Sequence, residues 1–284
     1  MSLEAIRGTY FPFEKEVHEI RPHAGQVLVA KRMRKLLAMG GRSEITKSHK
    51  DCGKVQDPYS LRCIPQVHGA SRDLLGFVRK KLEIETNSVT DNPLLFPEKN
   101  KIISAGNFHG QILSMSMDML AIAMAEIASI SEQRISKLIN PSLSELPPFL
   151  TPKGGLNSGF MIIQVTAASL VSENKTLCHP ASVDSIPTSA DKEDHVSMGA
   201  WAARKAFKVV ENTRRVLSLE LLSACQGLDF LRPLKTTQLL EQVFETVREK
   251  VSFMEDDRIL HPDITCIEKM ITDHVFDPTL SELE

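Results

Sequence analysis

Gln56, Asp57, Tyr59 and Arg62 fall within one short stretch, QDPYSLRC, which offers an amide, a carboxylate, a phenol and a guanidinium. The planar fork of Arg62 suits a substrate carboxylate, because it can donate two parallel hydrogen bonds, and a phenol beside a cation can transfer protons. The same spacing also fits a plain Asp57 to Arg62 ion pair at a helix start, and residue types alone leave both readings open. Far along the chain, Asp191-Lys192-Glu193-Asp194-His195 offers Glu193 as a carboxylate for a cationic or hydrogen-bonding ring. The plainer account is a set of acids complementing the dipole in the first turn of a helix. Asn107-Phe108-His109 stands where a long apolar segment begins and free backbone donors collect; Phe108 there is either core or pocket wall.

Other chemistries find less support. His49, Cys52, Cys63 and His68 could be read as four zinc ligands, but the spacing lacks a paired-cysteine knuckle, and no metal site is expected. G-x-S-x-G, G-x-x-x-x-G-K-[ST] and G-x-G-x-x-G do not occur, which removes the usual anchors of hydrolase, nucleotide-phosphate and dinucleotide readings. Thirty-four basic and 36 acidic side chains leave a net charge of −2, so nothing electrostatic points to nucleic acid or an anionic membrane. Five scattered cysteines fit a reducing compartment, and Met1 to Tyr10 contains no apolar signal core, so a cytoplasmic protein is expected.

The elements that must position these groups are read from periodicity. Apolar residues recur at spacings of three and four from Gln111 to Ile139, filling two adjacent stripes. A helix so apolar wants neighbours on most sides, and Asp118, Glu126 and several serines argue against a bilayer span. Glu132, Gln133, Arg134 and Lys137 are expected to emerge into solvent. Further helices are predicted from Phe13 to Gly41, with Pro22 near its start and Gly40-Gly41 as its stop, and from Ile64 to Glu85. Others are predicted from Phe160 to Leu177, from Pro187–Ala190 to about Gly227, and from Thr236 to Phe253, with a loosely ordered acidic tail beyond. Arg42 to Pro58 reads as a loop holding one helical turn at most, and Leu94–Phe96 with Lys101–Ile103 as a small hairpin around PEKN. The 284 residues are therefore expected to form a single all-α domain, an elongated bundle of long helices with one β-hairpin.

Beyond spacing, the blocks HEIRPHAGQ, SHKDCGKVQDPYSLRC, NSVTDNPL, SAGNFHGQ, GLNSGFM, SVDSIPTSADKEDHVSMG and ENTRRVLSLELLSACQGLD resemble those of the histidine ammonia-lyases within the aromatic amino acid lyase family. The resemblance covers nearly the whole chain. It implies a helical bundle that forms a homotetramer, active sites built by several subunits, and conversion of L-histidine to trans-urocanate and ammonia. It also implies roles: Arg62 binds the substrate carboxylate, Tyr59 and Gln56 line the reacting centre, Asn92 lies near the carboxylate end, Phe108 walls the pocket, and Glu193 faces the imidazole. Relatives acting on phenylalanine or tyrosine carry an amide in place of Glu193 and a lysine where Met161 stands, so this pair favours histidine.

Two departures bear on activity. Family members commonly read Ala-Asn-Gln-Glu-Asp where this chain has Ala190-Asp191-Lys192-Glu193-Asp194, which puts a cation beside the ring-binding carboxylate. The family's electrophile, a methylidene-imidazolone, forms from an internal Ala-Ser-Gly, and the sequence contains none. The chain is thus expected to be a carboxyl-terminal part without a cofactor of its own, inactive alone, serving a homotetramer or a complementing amino-terminal lyase chain. The alternatives are a non-catalytic assembly module derived from the family and a lyase part for another aromatic amino acid.

Overall fold

The computed structural model describes residues 1–38, 41–49 and 55–283. In chain order its main elements are α1 (Ala24–Ala38), α2 (Tyr59–Arg62), α3 (Ile64–Glu85), β1 (Leu94–Phe96), β2 (Lys101–Ile103), α4 (Gln111–Ile139), α5 (Met161–Leu177), α6 (Gly199–Asp229), α7 (Gln238–Arg248) and α8 (His261–Thr272). The strands pair antiparallel, Leu95 opposite Ile102, as the sequence predicts.

The axis is α4, about 43 Å long at the usual helical rise. α6 runs parallel to it, as three contacts in the same order show. Thr213 donates to the Met124 carbonyl (3.0 Å), Arg134 pairs with Glu220, and Leu138 lies against Gly227. α3 crosses α4 where Ser71 donates to the Ala123 carbonyl (3.0 Å), and α5 joins it where Gln164 donates to Glu132 (2.8 Å). Ser114, Ser116, Ala121, Ala123, Ala128 and Ser131 are buried, and such small side chains let neighbouring backbones approach closely. Met115 and Ile122, by contrast, stay exposed, so the second apolar stripe of α4 is uncovered in the single chain.

The structure corrects several expectations. Glu132 and Arg134 are buried rather than solvated: Glu132 accepts from Gln164 of α5, and Arg134 forms a two-pronged bond to Glu220 of α6 (Nε to Oε1 2.6 Å, Nη2 to Oε2 2.7 Å). Gln133 is exposed, as predicted. The helix predicted from Phe13 divides into Lys15–Glu19 and α1, broken at Pro22, which has no N–H to donate. Of its predicted stop, Gly40 lies outside the described residues, while Gly41 has left-handed backbone (φ 97) and donates to the Ala38 carbonyl at 2.9 Å. The helix after Pro187 begins only at Gly199, and the tail past Phe253 is ordered: α8 buries Ile267 and Met270 in the core.

α1 and α3 meet backbone to backbone at Gly25 and Gly69. A Cβ on Gly69 would lie 2.4 Å from the Gln26 nitrogen, and one on Gly25 would lie 2.1 Å from the Gly69 carbonyl oxygen. Gly69→Ala is therefore expected to lower the unfolding free energy by about 1–3 kcal/mol, through helix displacement. Gly76→Ala, on the same helix with nothing within 4 Å, should be neutral or slightly stabilising. Urea unfolding midpoints of the two variants check this, and equal midpoints would refute the close approach.

Candidate functional site

The QDPYSLRC stretch bends into α2 after Pro58, and the Arg62 guanidinium lies over the Tyr59 ring, 4.5 Å from its centroid. Asp57 does not pair with Arg62; its Oδ2 accepts the Thr9 N–H at 2.7 Å instead. The simple ion-pair account thus falls away. The Arg62 Nε is buried and has no hydrogen-bond partner among the described residues. Gln56 and Arg62 line a cavity of about 580 Å³ whose other walls include Arg42, Lys47, His49 and Tyr10. Arg42 lies over the Tyr10 ring at 3.8 Å. Such a hollow, rich in cations, suits a small anion. Tyr59 is largely exposed and is not among the cavity walls.

The second group gathers at the start of α4. Phe108 sits in the turn closed by the His109 N–H to Gly106 carbonyl bond (3.0 Å), and at 56% exposed it is not a core residue. Asn92 is brought near through the hairpin, where its Oδ1 accepts the Ala105 N–H at 2.8 Å. Glu193 lies in a closed loop and not in a first helical turn: Thr188 N–H donates to the Glu193 carbonyl (2.9 Å), and Ser189, Ala190 and Asp191 all adopt left-handed backbone. The dipole account of these acids therefore does not apply. Glu193 is exposed, and among the described residues no ion pair joins it to Lys192.

The two groups stand at opposite ends of the same rod. Arg134 Nη1 approaches the Ser60 carbonyl (3.4 Å), which fixes α2 beside the last turns of α4, while the Glu193 loop touches His109 just before its first turn. From residue 110 to 134 the rise is roughly 36 Å, so Arg62 and Glu193 of one chain do not share a hollow. Met161, first residue of α5 and one turn before Gln164, belongs with the Arg62 end. Between the ends, Glu220 receives hydrogen bonds from Arg134, Ser131 and Ser2. Burial would raise its pKa, but the Arg134 charge and these donors outweigh it and hold the carboxyl at about 2. Burial and the same Arg134 charge push His68 down to about 4.

Sequence reading overlooked three features: the buried Arg134 to Glu220 pair, the cationic wall of Arg42 and Lys47, and the pairing of His109 with His195. Only the charge of Arg134 on an otherwise apolar face could have signalled the first. The others join residues distant in sequence. Among the described residues no three of His, Cys, Asp and Glu form a metal-holding group; Cys52 of the zinc set lies outside them.

Comparison with known proteins adds the following. The sequence model of the family described as aromatic amino acid lyase matches residues 1–249. The histidine ammonia-lyase of Caenorhabditis elegans is 52% identical over 286 residues, covering 100% of this chain and 42% of its own length. The crystal structure of histidine ammonia-lyase from Trypanosoma cruzi superposes with a TM-score of 0.91 at 49% identity, covering 99% of this chain and 52% of its own. The tyrosine aminomutase of Streptomyces globisporus gives a TM-score of 0.90 at 37% identity, covering 99% and 57%. The chain spans about half the length of these relatives.

Proposed function

Since the chain belongs to the aromatic amino acid lyase family, we propose that it is the carboxyl-terminal part of a histidine ammonia-lyase, supplying one share of a site that deaminates L-histidine to trans-urocanate and ammonia. The observation that carries this reading is the Arg62 guanidinium, whose buried Nε has no hydrogen-bond partner among the described residues, beside Gln56 in a cavity of about 580 Å³. Arg62 takes the substrate carboxylate, with Asn92 toward the same end, and Tyr59 and Gln56 serve proton transfer. Phe108 walls the ring, Met161 leaves the pocket without a competing cation, and Glu193 accepts the imidazole N–H. A phenyl ring offers Glu193 no proton, which favours histidine over phenylalanine.

The family's methylidene-imidazolone, which activates the amine, arises from Ala-Ser-Gly, and the 284 residues contain none. In this reading the electrophile is supplied by another segment. The roughly 36 Å between the two groups within one chain likewise calls for a second copy, whose Glu193 end meets the Arg62 end of the first. The exposed Met115 and Ile122 on α4 support association, since an uncovered apolar face is costly in water. By length and composition α4 could cross a membrane, but Asp118, Glu132 and Arg134 all bond inside the bundle, and this supports a core helix in a homotetramer. A cytoplasmic location belongs to the same reading; Cys63, Cys178, Cys225 and Cys266 are free thiols.

The test is complementation. The chain alone should give no urocanate absorbance with L-histidine, whereas a mixture with a separately expressed amino-terminal lyase half should. If no such mixture turns over and calorimetry finds no affinity for urocanate or histidine, the chain is an assembly module. Turnover of tyrosine or phenylalanine in preference to histidine would point to another substrate.

A further inference from the structure

We propose that His109 is the positioning residue that sets Glu193, a step resting on the ring-binding reading of that carboxylate. The loop from 185 to 196 carries three successive non-glycine residues in left-handed conformation, Ser189 (φ 53), Ala190 (φ 54) and Asp191 (φ 65). L-residues avoid this region because Cβ crowds the following carbonyl, so the loop keeps its shape only if its surroundings hold it. Most of its bonds are internal. Thr188 N–H reaches the Glu193 carbonyl, Lys192 N–H reaches the Ser189 carbonyl, and Val196 N–H reaches Ser185 Oγ. Among the described residues, the hydrogen bond from this loop to the turn leading into α4 is made by His109. Its Nε2 lies 2.9 Å from the His195 carbonyl oxygen, and since a carbonyl only accepts, Nε2 carries the proton. The two imidazoles also stack, 9° from parallel with centroids 5.9 Å apart.

The consequence is geometric. His109 follows Phe108 directly, and His195 stands two residues after Glu193. One imidazole therefore couples the pocket wall to the ring-binding carboxylate, across 86 residues of sequence. Without it the strained loop has lost its tie to the rod and relaxes, carrying Glu193 away from Phe108. A glutamine at 109 can donate from its side-chain amide to the same carbonyl; an alanine cannot.

Two readouts separate this proposal from the reading beneath it. Hydrogen exchange on the chain itself should find the Thr188 and Lys192 amides roughly tenfold faster in His109→Ala, the loss expected for one hydrogen bond, and close to the parent rate in His109→Gln. His109 is only half-buried, so both variants should keep the parent's helical circular dichroism. Calorimetry with urocanate, on the chain combined with an amino-terminal half, should show affinity falling several-fold in His109→Ala and recovering in His109→Gln. Unchanged exchange in His109→Ala overturns the tie, whatever the affinity does. Faster exchange with unchanged urocanate affinity leaves the tie standing but overturns its role in positioning Glu193 for the ring.

Discussion

Arg134→Met is expected to lower the unfolding free energy at neutral pH by about 3–5 kcal/mol, enough to threaten a fold of ordinary stability. Arg134 and Glu220 are both nearly buried, with side-chain exposures of 6% and 13%, and face each other across α4 and α6. Removing the cation strands a carboxylate that two serine hydroxyls alone cannot neutralise. Replacing both partners by apolar residues of similar volume should recover most of the loss, since the pair's own net contribution is small once desolvation is counted. Urea titration of the single and double variants measures this, and a single variant within 1 kcal/mol of the parent, by about the error of such titrations, would contradict it.

The same pair sets how the protein meets acid. Glu220 is held at about 2 against an ordinary 4.5, so its contribution is fully present above about 4.5 and is lost as pH falls toward 2. That shift corresponds to about 3 kcal/mol. His68, neutral down to about 4 against an ordinary 6.5, adds a loss in the same direction between those values, because the unfolded chain takes up the proton first. Stability should therefore decline in two stages on acidification, and Arg134→Met should flatten the lower one. A parent whose urea midpoint stays level from pH 6.5 to 3 would refute the assignment.

Arg62→Ala is expected to cut kcat/KM for L-histidine in the complemented enzyme by roughly 30- to 1000-fold, equivalent to about 2–4 kcal/mol of lost carboxylate binding. Arg62→Lys should restore only part of this, because a single ammonium keeps the charge without the fork. The urea midpoint should hardly move in either variant. The Arg62 Nε has no hydrogen-bond partner among the described residues, and the guanidinium's visible partner is the Tyr59 ring at 4.5 Å. Full activity in Arg62→Ala would remove the carboxylate role.

Much of the architecture was legible in the sequence. The bounds of α3, α4 and the hairpin agree with periodicity, because each carries an uninterrupted pattern closed by a turn or a proline. α6 was placed too early. Its supposed first turn, Asp191 to His195, has the acids and helix-compatible residues of a real one, yet Thr188 pairs with Glu193 and closes a loop there. Arg134 was assigned to solvent for a similar reason: a charge next to Glu132 and Gln133 looks exposed until its partner, 86 residues away, is known.

The chemistry of the candidate site was likewise half visible. Sequence alone determined which functional groups are present, their family resemblance, and the absence of an Ala-Ser-Gly source for the electrophile, since composition and local spacing carry that information. Only the tertiary structure decided that Asp57 is spent on Thr9 and not on Arg62, and that His109 bonds the His195 carbonyl beside Glu193. It alone put the two halves of the site at opposite ends of α4. Local pattern fixes which face a residue takes on its own helix. How far apart two residues end up depends on the direction and register in which packed helices run past one another, and that is settled by contacts between parts of the chain distant in sequence.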